Sequence, residues 1–161
     1  MPDFPRPSQA ELTRQREEHA ASLAQGSLPH RLDLTLSEAL VIGLLRQGVN
    51  TFLTVFGHGS TELGEVLRIY HQAGLLKVYG LRSEIEASHA AAALRWVTGE
   101  KAAVVTSIGP GALQALAASL APASDGLGVW YLFGDETTED EGFNMQQVPK
   151  HEQGLFHQLC S

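Results

Sequence analysis

Three turns hold the residues of this chain whose types and spacing suit them for chemistry. The first reads Gly57-His58-Gly59-Ser60-Thr61-Glu62-Leu63-Gly64. Its glycines let backbone come close to a ligand, and a helix opening there would favour an anion. It lacks the Gly-Lys-Ser/Thr of a phosphate-binding loop. Glu84 and Glu86 do not sit at the strand end that a dinucleotide fingerprint needs. The same residues also fit a plain strand-to-helix turn. The second turn holds Arg82-Ser83-Glu84-Ile85-Glu86-Ala87. With Ser83 as N-cap, Glu86 falls three residues on, at the position that completes a capping box, so it already has a structural task. Glu84 has none. The helix start and Arg82 favour its charged form and burial opposes it, which makes it either a proton donor and acceptor in a cleft or a solvated first-turn carboxylate. The third turn, Thr106-Ser107-Ile108-Gly109-Pro110-Gly111-Ala112, fixes an unusual backbone path after an apolar strand, with Pro110 near the first helical position. It either presents main-chain groups to a ligand or permits close helix–sheet packing.

The elements around these turns repeat. Thr35 through Glu38 fits a capping box opening a mostly buried helix, and Gly48 follows as its stop. Residues 51–56 are β-branched and aromatic and read as a strand. Leu63, Val66, Leu67 and Tyr70 recur at helical spacing up to Gly74. Residues 76–79 form a short strand, 83–97 an Ala-rich helix stopped at Gly99, 102–106 a buried strand, and 129–133 the last clear strand. A further Ala/Leu helix runs from the Gly-Pro-Gly turn to about Ala121. Strands with little alternation, separated by helices, imply an α/β fold: a doubly wound parallel sheet with helices on both faces. Ligands bind at the carboxyl ends of strands in such folds, which is where all three turns fall.

Composition narrows the class. The 161 residues carry 11 Lys plus Arg and 18 Asp plus Glu, a formal charge of −7, which argues against nonspecific binding to nucleic acid or anionic membrane. The longest apolar run is far below the roughly 20 residues that span a bilayer. The first residues show no secretory signal, so a cytoplasmic location is expected. Cys160 is the only cysteine, which excludes an internal disulfide and a cysteine-rich metal site. His19, His30, His71, His89, His151 and His157 show no zinc-type spacing, and no metal site is expected. Trp96 and Trp130 read as core or interface anchors, and His89 as a helix residue packed at an interface.

Taken together and in order, the turns resemble the pyrimidine-binding (PYR) domain of thiamine diphosphate enzymes of the acetolactate synthase and benzoylformate decarboxylase type. The resemblance rests on Leu34-Thr35 with Glu38-Ala39-Leu40, Gly48-Val49, Val55-Phe56-Gly57, and Arg82-Ser83-Glu84 with Ala87-Ser88-His89-Ala90-Ala91 and Arg95. Thr98-Gly99-Glu100-Lys101 and the Thr106-to-Ala112 turn complete it, over roughly residues 34–135. Phe56-Gly57-His58-Gly59, the third turn and Gly134-Asp135 look most like the trihydroxycyclohexanedione hydrolases. Ser83, Ile85, Leu94 and Gln114 stand where the family has His, Gln, Tyr and Asn.

The resemblance implies thiamine diphosphate as cofactor, with the Glu84 carboxyl hydrogen-bonded to the pyrimidine N1′ so that the thiazolium C2 proton can leave. It implies cofactor contacts from Gly57, Gly59, Ser60, Gly109, Pro110, Gly111 and Gln114, and a place for His58 in the substrate pocket. It also implies a lyase, transferase or hydrolase acting beside a carbonyl. In the family, Mg²⁺ is held by a separate PP domain, and the active site forms between the PYR domain of one subunit and the PP domain of another. Gly134-Asp135-Glu136 lacks the following Asn pair and is not that magnesium motif. The expected organisation is a polar, partly helical extension over 1–30, frayed or loosely docked; a PYR-type domain over 31–135; and an acidic linker over 136–161, leading to an absent domain. The isolated chain is expected to be inactive and to dimerise through its Ala-rich helices. The alternative is a catalytically inactive nucleotide-binding, regulatory or structural subunit.

Overall fold

Alternate residues of one strand set the architecture. In Lys101–Thr106, Ala102 and Val104 face one apolar core while Ala103 and Val105 face another, and all four are buried. A strand apolar on both faces needs cover on both. The computed structural model describes residues 7–135 and supplies that cover. Its elements in chain order are α1 (Gln9–Ala24), α2 (Leu36–Arg46), β1 (Val49–Val55), α3 (Thr61–Gln72), β2 (Lys77–Gly80), α4 (Glu84–Thr98), β3 (Lys101–Thr106), α5 (Pro110–Ser124) and β4 (Trp130–Phe133). The four strands are parallel, in the order β2-β1-β3-β4. The doubly wound α/β expectation holds, and Gly48, Gly74 and Gly99 follow α2, α3 and α4.

The face under α2 and α3 is the larger. Val41, Ile42 and Leu44 of α2 and Val66, Leu67, Ile69 and Tyr70 of α3 close on Val49, Phe52, Ala103 and Val105. Val49 and Phe52 are three apart yet share this face, because the β1–β3 register shifts between Val49 and Thr51. On the other face Ala87 and Ala91 of α4 and Ala115 of α5 meet Leu53, Ala102 and Val104. Small side chains let the two helices lie close to the sheet and to each other.

The first helix departs from expectation. Ser8 caps α1 in a full capping box with Glu11, and Ala20 joins the larger core. Arg16 is 1% exposed; its guanidinium donates to Glu62 Oε1 at 2.7 Å and Thr35 Oγ1 at 3.2 Å. The segment is therefore docked by a buried cation, not frayed. A second correction lies beside it. Thr35 caps α2 as expected, accepting from the Glu38 amide at 3.3 Å, but the Glu38 side chain does not reach back. It is buried, accepting from Tyr70 Oη at 2.9 Å and lying 3.1 Å from His19 Nδ1. A buried carboxylate needs partners more than a helix end needs a second cap. The expected acidic linker and His151, His157 and Cys160 lie outside the described residues.

Candidate active site

The order β2-β1-β3-β4 makes the chain step outward in opposite directions from β1 and from β3, so the crevice between these two strands is the switch point at which such sheets bind ligands. Two of the three turns meet there. Ile108 donates its amide to His58 O at 3.0 Å, and Gly134 donates to Thr106 O at 3.2 Å, tying the ends of β1, β3 and β4 together. The third element, the start of α4, is carried in from β2, whose end is held by the Leu81 amide on Thr54 O at 2.9 Å.

Ser107 lies at the centre. A Cβ on Gly57 would stand 2.7 Å from Ser107 Cβ, and a Cβ on Gly111 would stand 2.4 Å from Ser107 Oγ. Both glycines are there because this side chain fills the space between them. The same point on Gly111 is 2.8 Å from Glu84 Oε1. The Glu84 carboxyl therefore turns inward, to the first turn of α5, and is partly buried. Its helix is capped by Ser83, whose Oγ accepts from the Ile85 amide at 3.2 Å. Ser88, fully buried one turn on, donates to Glu84 O at 2.9 Å.

Gly109 has φ 68° and ψ −118°, a conformation closed to residues with a side chain, and it turns the chain from β3 into α5 within three residues. No side chain caps α5, so the amide donors of its first turn are not taken up by a cap. A carboxyl and an uncapped helix start, side by side at the carboxyl edge of a parallel sheet, can hold a polar heteroaromatic ring by an acceptor or donor on one side and main-chain groups on the other.

The sequence-predicted residues separate into two groups. Glu84, Gly57, Gly109, Pro110 and Gly111 converge around Ser107 or on the turn that carries it; Gln114 is exposed on α5, one turn past Gly111. Gly59 and Ser60 serve the turn itself. Ser60 is 2% exposed, and its Oγ bonds the amide and carbonyl of Gly57, both at 3.1 Å, in place of capping α3. The space a Gly59 side chain would take is occupied by backbone, with Asp135 N at 2.7 Å. His58 is exposed on the turn. Two expectations need correction. Glu86 is exposed, and Ser83 caps α4 through the Ile85 amide without a reciprocal bond from Glu86. Trp96 and Trp130, expected as core or interface anchors, are 67% and 43% exposed, which removes the core half of that expectation and leaves the interface half. Sequence reasoning missed Ser107 as the shared contact, although it stands directly before Ile108-Gly109-Pro110-Gly111.

This geometry defines the class first: a parallel α/β domain whose strand ends bring a carboxyl and a Gly-Pro-Gly helix start to one cleft, suited to an organic cofactor. The chain belongs to the family described as thiamine pyrophosphate enzyme, N-terminal TPP binding domain, which matches residues 34–159. No curated protein matches the chain. Among the described residues no helix is long and apolar enough to cross a membrane.

Proposed function

We propose that this chain is the pyrimidine-binding half of a cytoplasmic thiamine diphosphate-dependent enzyme that acts on carbon–carbon bonds of 2-keto acids or diketones, and that it works with a PP domain supplied in trans or by the rest of the chain. The observation that carries this reading is the Glu84 carboxyl lying against Gly111 in the uncapped first turn of α5. Thiamine diphosphate, when bound, supplies a carbon nucleophile and an electron sink. The protein's part is to hold and polarise it. Glu84 would bond the pyrimidine ring nitrogen and share a proton with it, an ordinary acid–base role for a carboxyl. Gly57, Gly109, Pro110, Gly111 and Gln114 would line the ring, and His58 would face the substrate. The turn around Phe56-Gly57-His58-Gly59 supports the diketone side of the proposal, as in ring-opening hydrolases. Mg²⁺, with the diphosphate it carries, is assigned to the PP domain.

The second copy needed by this arrangement would dock on the outer face of α4 and α5. Ala91 and Ala115 of these Ala-rich helices are buried within the chain, and the exposed large hydrophobic residues of the two helices are Ile85, Trp96, Val97, Leu113 and Leu120. An apolar surface of this kind is suited to a partner.

Equilibrium binding of thiamine diphosphate with Mg²⁺ tests the reading. The isolated chain should bind weakly, and the protein assembled with its PP domain tightly. Weak binding by the complete assembly would overturn the proposal; equally tight binding by the isolated chain would remove the need for the second domain.

A further inference from the structure

A second cavity lies at the opposite edge of the sheet. It has a volume of about 390 Å³ and is lined by Gln47, Arg95, Lys101, Gly128, Val129 and Trp130. Lys101 opens β3 and Thr106 closes it, so this cavity and the Glu84 cleft stand at the two ends of one strand, about 16 Å apart at 3.3 Å per residue.

Its chemistry differs from the rest of the surface. The chain has 18 acidic residues against 11 basic ones, yet among the described residues two cations and no carboxylate line this cavity. The nearest acid in sequence, Glu100, is turned away to Thr51 Oγ1. Both cations are held in place by backbone. Lys101 Nζ donates to Gln47 O at 2.9 Å, and one Arg95 guanidinium nitrogen donates to Gly99 O at 2.5 Å. Each retains further N–H donors, since an ammonium has three and a guanidinium five. Trp130, a residue 43% exposed, adds its side chain to the same wall. An indole face stacks on planar rings, and fixed cations hold an oxyanion. The volume is within the range of small-ligand sites.

We propose that this cavity binds a ligand joining a planar heteroaromatic ring to a phosphate or carboxylate, with the ring on Trp130 and the anion between Lys101 and Arg95. The site is separate from the Glu84 cleft.

Adenosine monophosphate is the probe, titrated into the full chain carrying Trp96→Phe so that indole fluorescence reports Trp130 alone. Saturable quenching is expected, weakened at least about tenfold by Lys101→Gln and restored by Lys101→Arg. Calorimetric titration of Trp130→Ala should show a comparable loss, and circular dichroism confirms that each variant is folded. The proposal is overturned by no saturable signal at millimolar probe, by adenosine or inorganic phosphate binding as well as the monophosphate, or by a folded Lys101→Gln variant that binds unchanged.

Discussion

The carboxyl of Glu84 and the α carbon of Gly111 are in direct apposition: a methyl group on Gly111 would come within 2.8 Å of Glu84 Oε1. Two helices that follow different strands thus share one point, and Ser107 Oγ would stand 2.4 Å from the same added methyl. A glycine at 111 is the condition for the acid to turn inward.

Gly111→Ala follows from this. The atoms it would strike are the ends of two side chains, which can move, and Gly111 does not have a positive φ. We expect a folded protein destabilised by about 1 kcal/mol, toward the low end of overpacking costs, with Glu84 displaced and cofactor affinity lost. Thermal melts and thiamine diphosphate binding on the assembled protein check the two halves separately.

Gly59→Ala should behave in the opposite way. Its φ is +79°, and the new methyl would meet the backbone of Gly134 and Asp135, which cannot rotate aside. We expect a loss of about 2–4 kcal/mol, because conformational strain adds to the collision. Urea denaturation measures it, and a loss no larger than that of Gly111→Ala would contradict the reading of this turn.

The Glu38 network predicts a stability cost far from the site. Glu38→Ala leaves Tyr70 Oη buried without its acceptor and opens a space in the larger core. The expected destabilisation is about 3 kcal/mol by chemical denaturation. Arg16, with two hydrogen bonds and almost no exposure, should be the other sensitive position on this side.

Alkaline pH tests the same network from the other partner. Burial first, then the Glu38 carboxylate, pushes the Tyr70 hydroxyl well above its ordinary range. A raised folded value means that the stabilisation is fully present below the unfolded tyrosine value, near 10, and is lost as pH rises above it. In an absorbance titration at 295 nm, Tyr70 should ionise only as the protein unfolds, and Tyr70→Phe should flatten the fall in stability above about pH 10.

Much of this was legible in the sequence. The strand at 101–106 shows its double burial in its composition, the stop glycines mark where helices give way to the starts of strands, and the three turns mark the carboxyl edge where the site segments gather. Glu84 stood out at the first helical position, but the capping box that set Glu86 apart from it does not form: Glu86 is exposed and returns no bond to Ser83. The convergence on Ser107 was not legible, because it depends on two glycines 54 residues apart meeting one side chain across neighbouring strands. Arg16 reads as solvated in a polar segment, and only its distant partner Glu62 shows why it is buried. Glu38 fits a capping box locally, but Tyr70, 32 residues away, takes its carboxylate. The box that does form, Ser8 with Glu11, carried the same Ser-x-x-Glu signal and was available to the same reasoning.

The central claim is that Glu84 shares a proton with the cofactor. The direct measurement is the rate at which the C2 proton of thiamine diphosphate exchanges with deuterium, followed by quenched-flow NMR on the fully assembled protein with Mg²⁺. Wild type should accelerate exchange over free cofactor, and Glu84→Gln, which keeps the shape of the side chain, should reduce it by about a hundredfold or more. Exchange in Glu84→Gln as fast as in wild type, with the cofactor bound, would contradict the account.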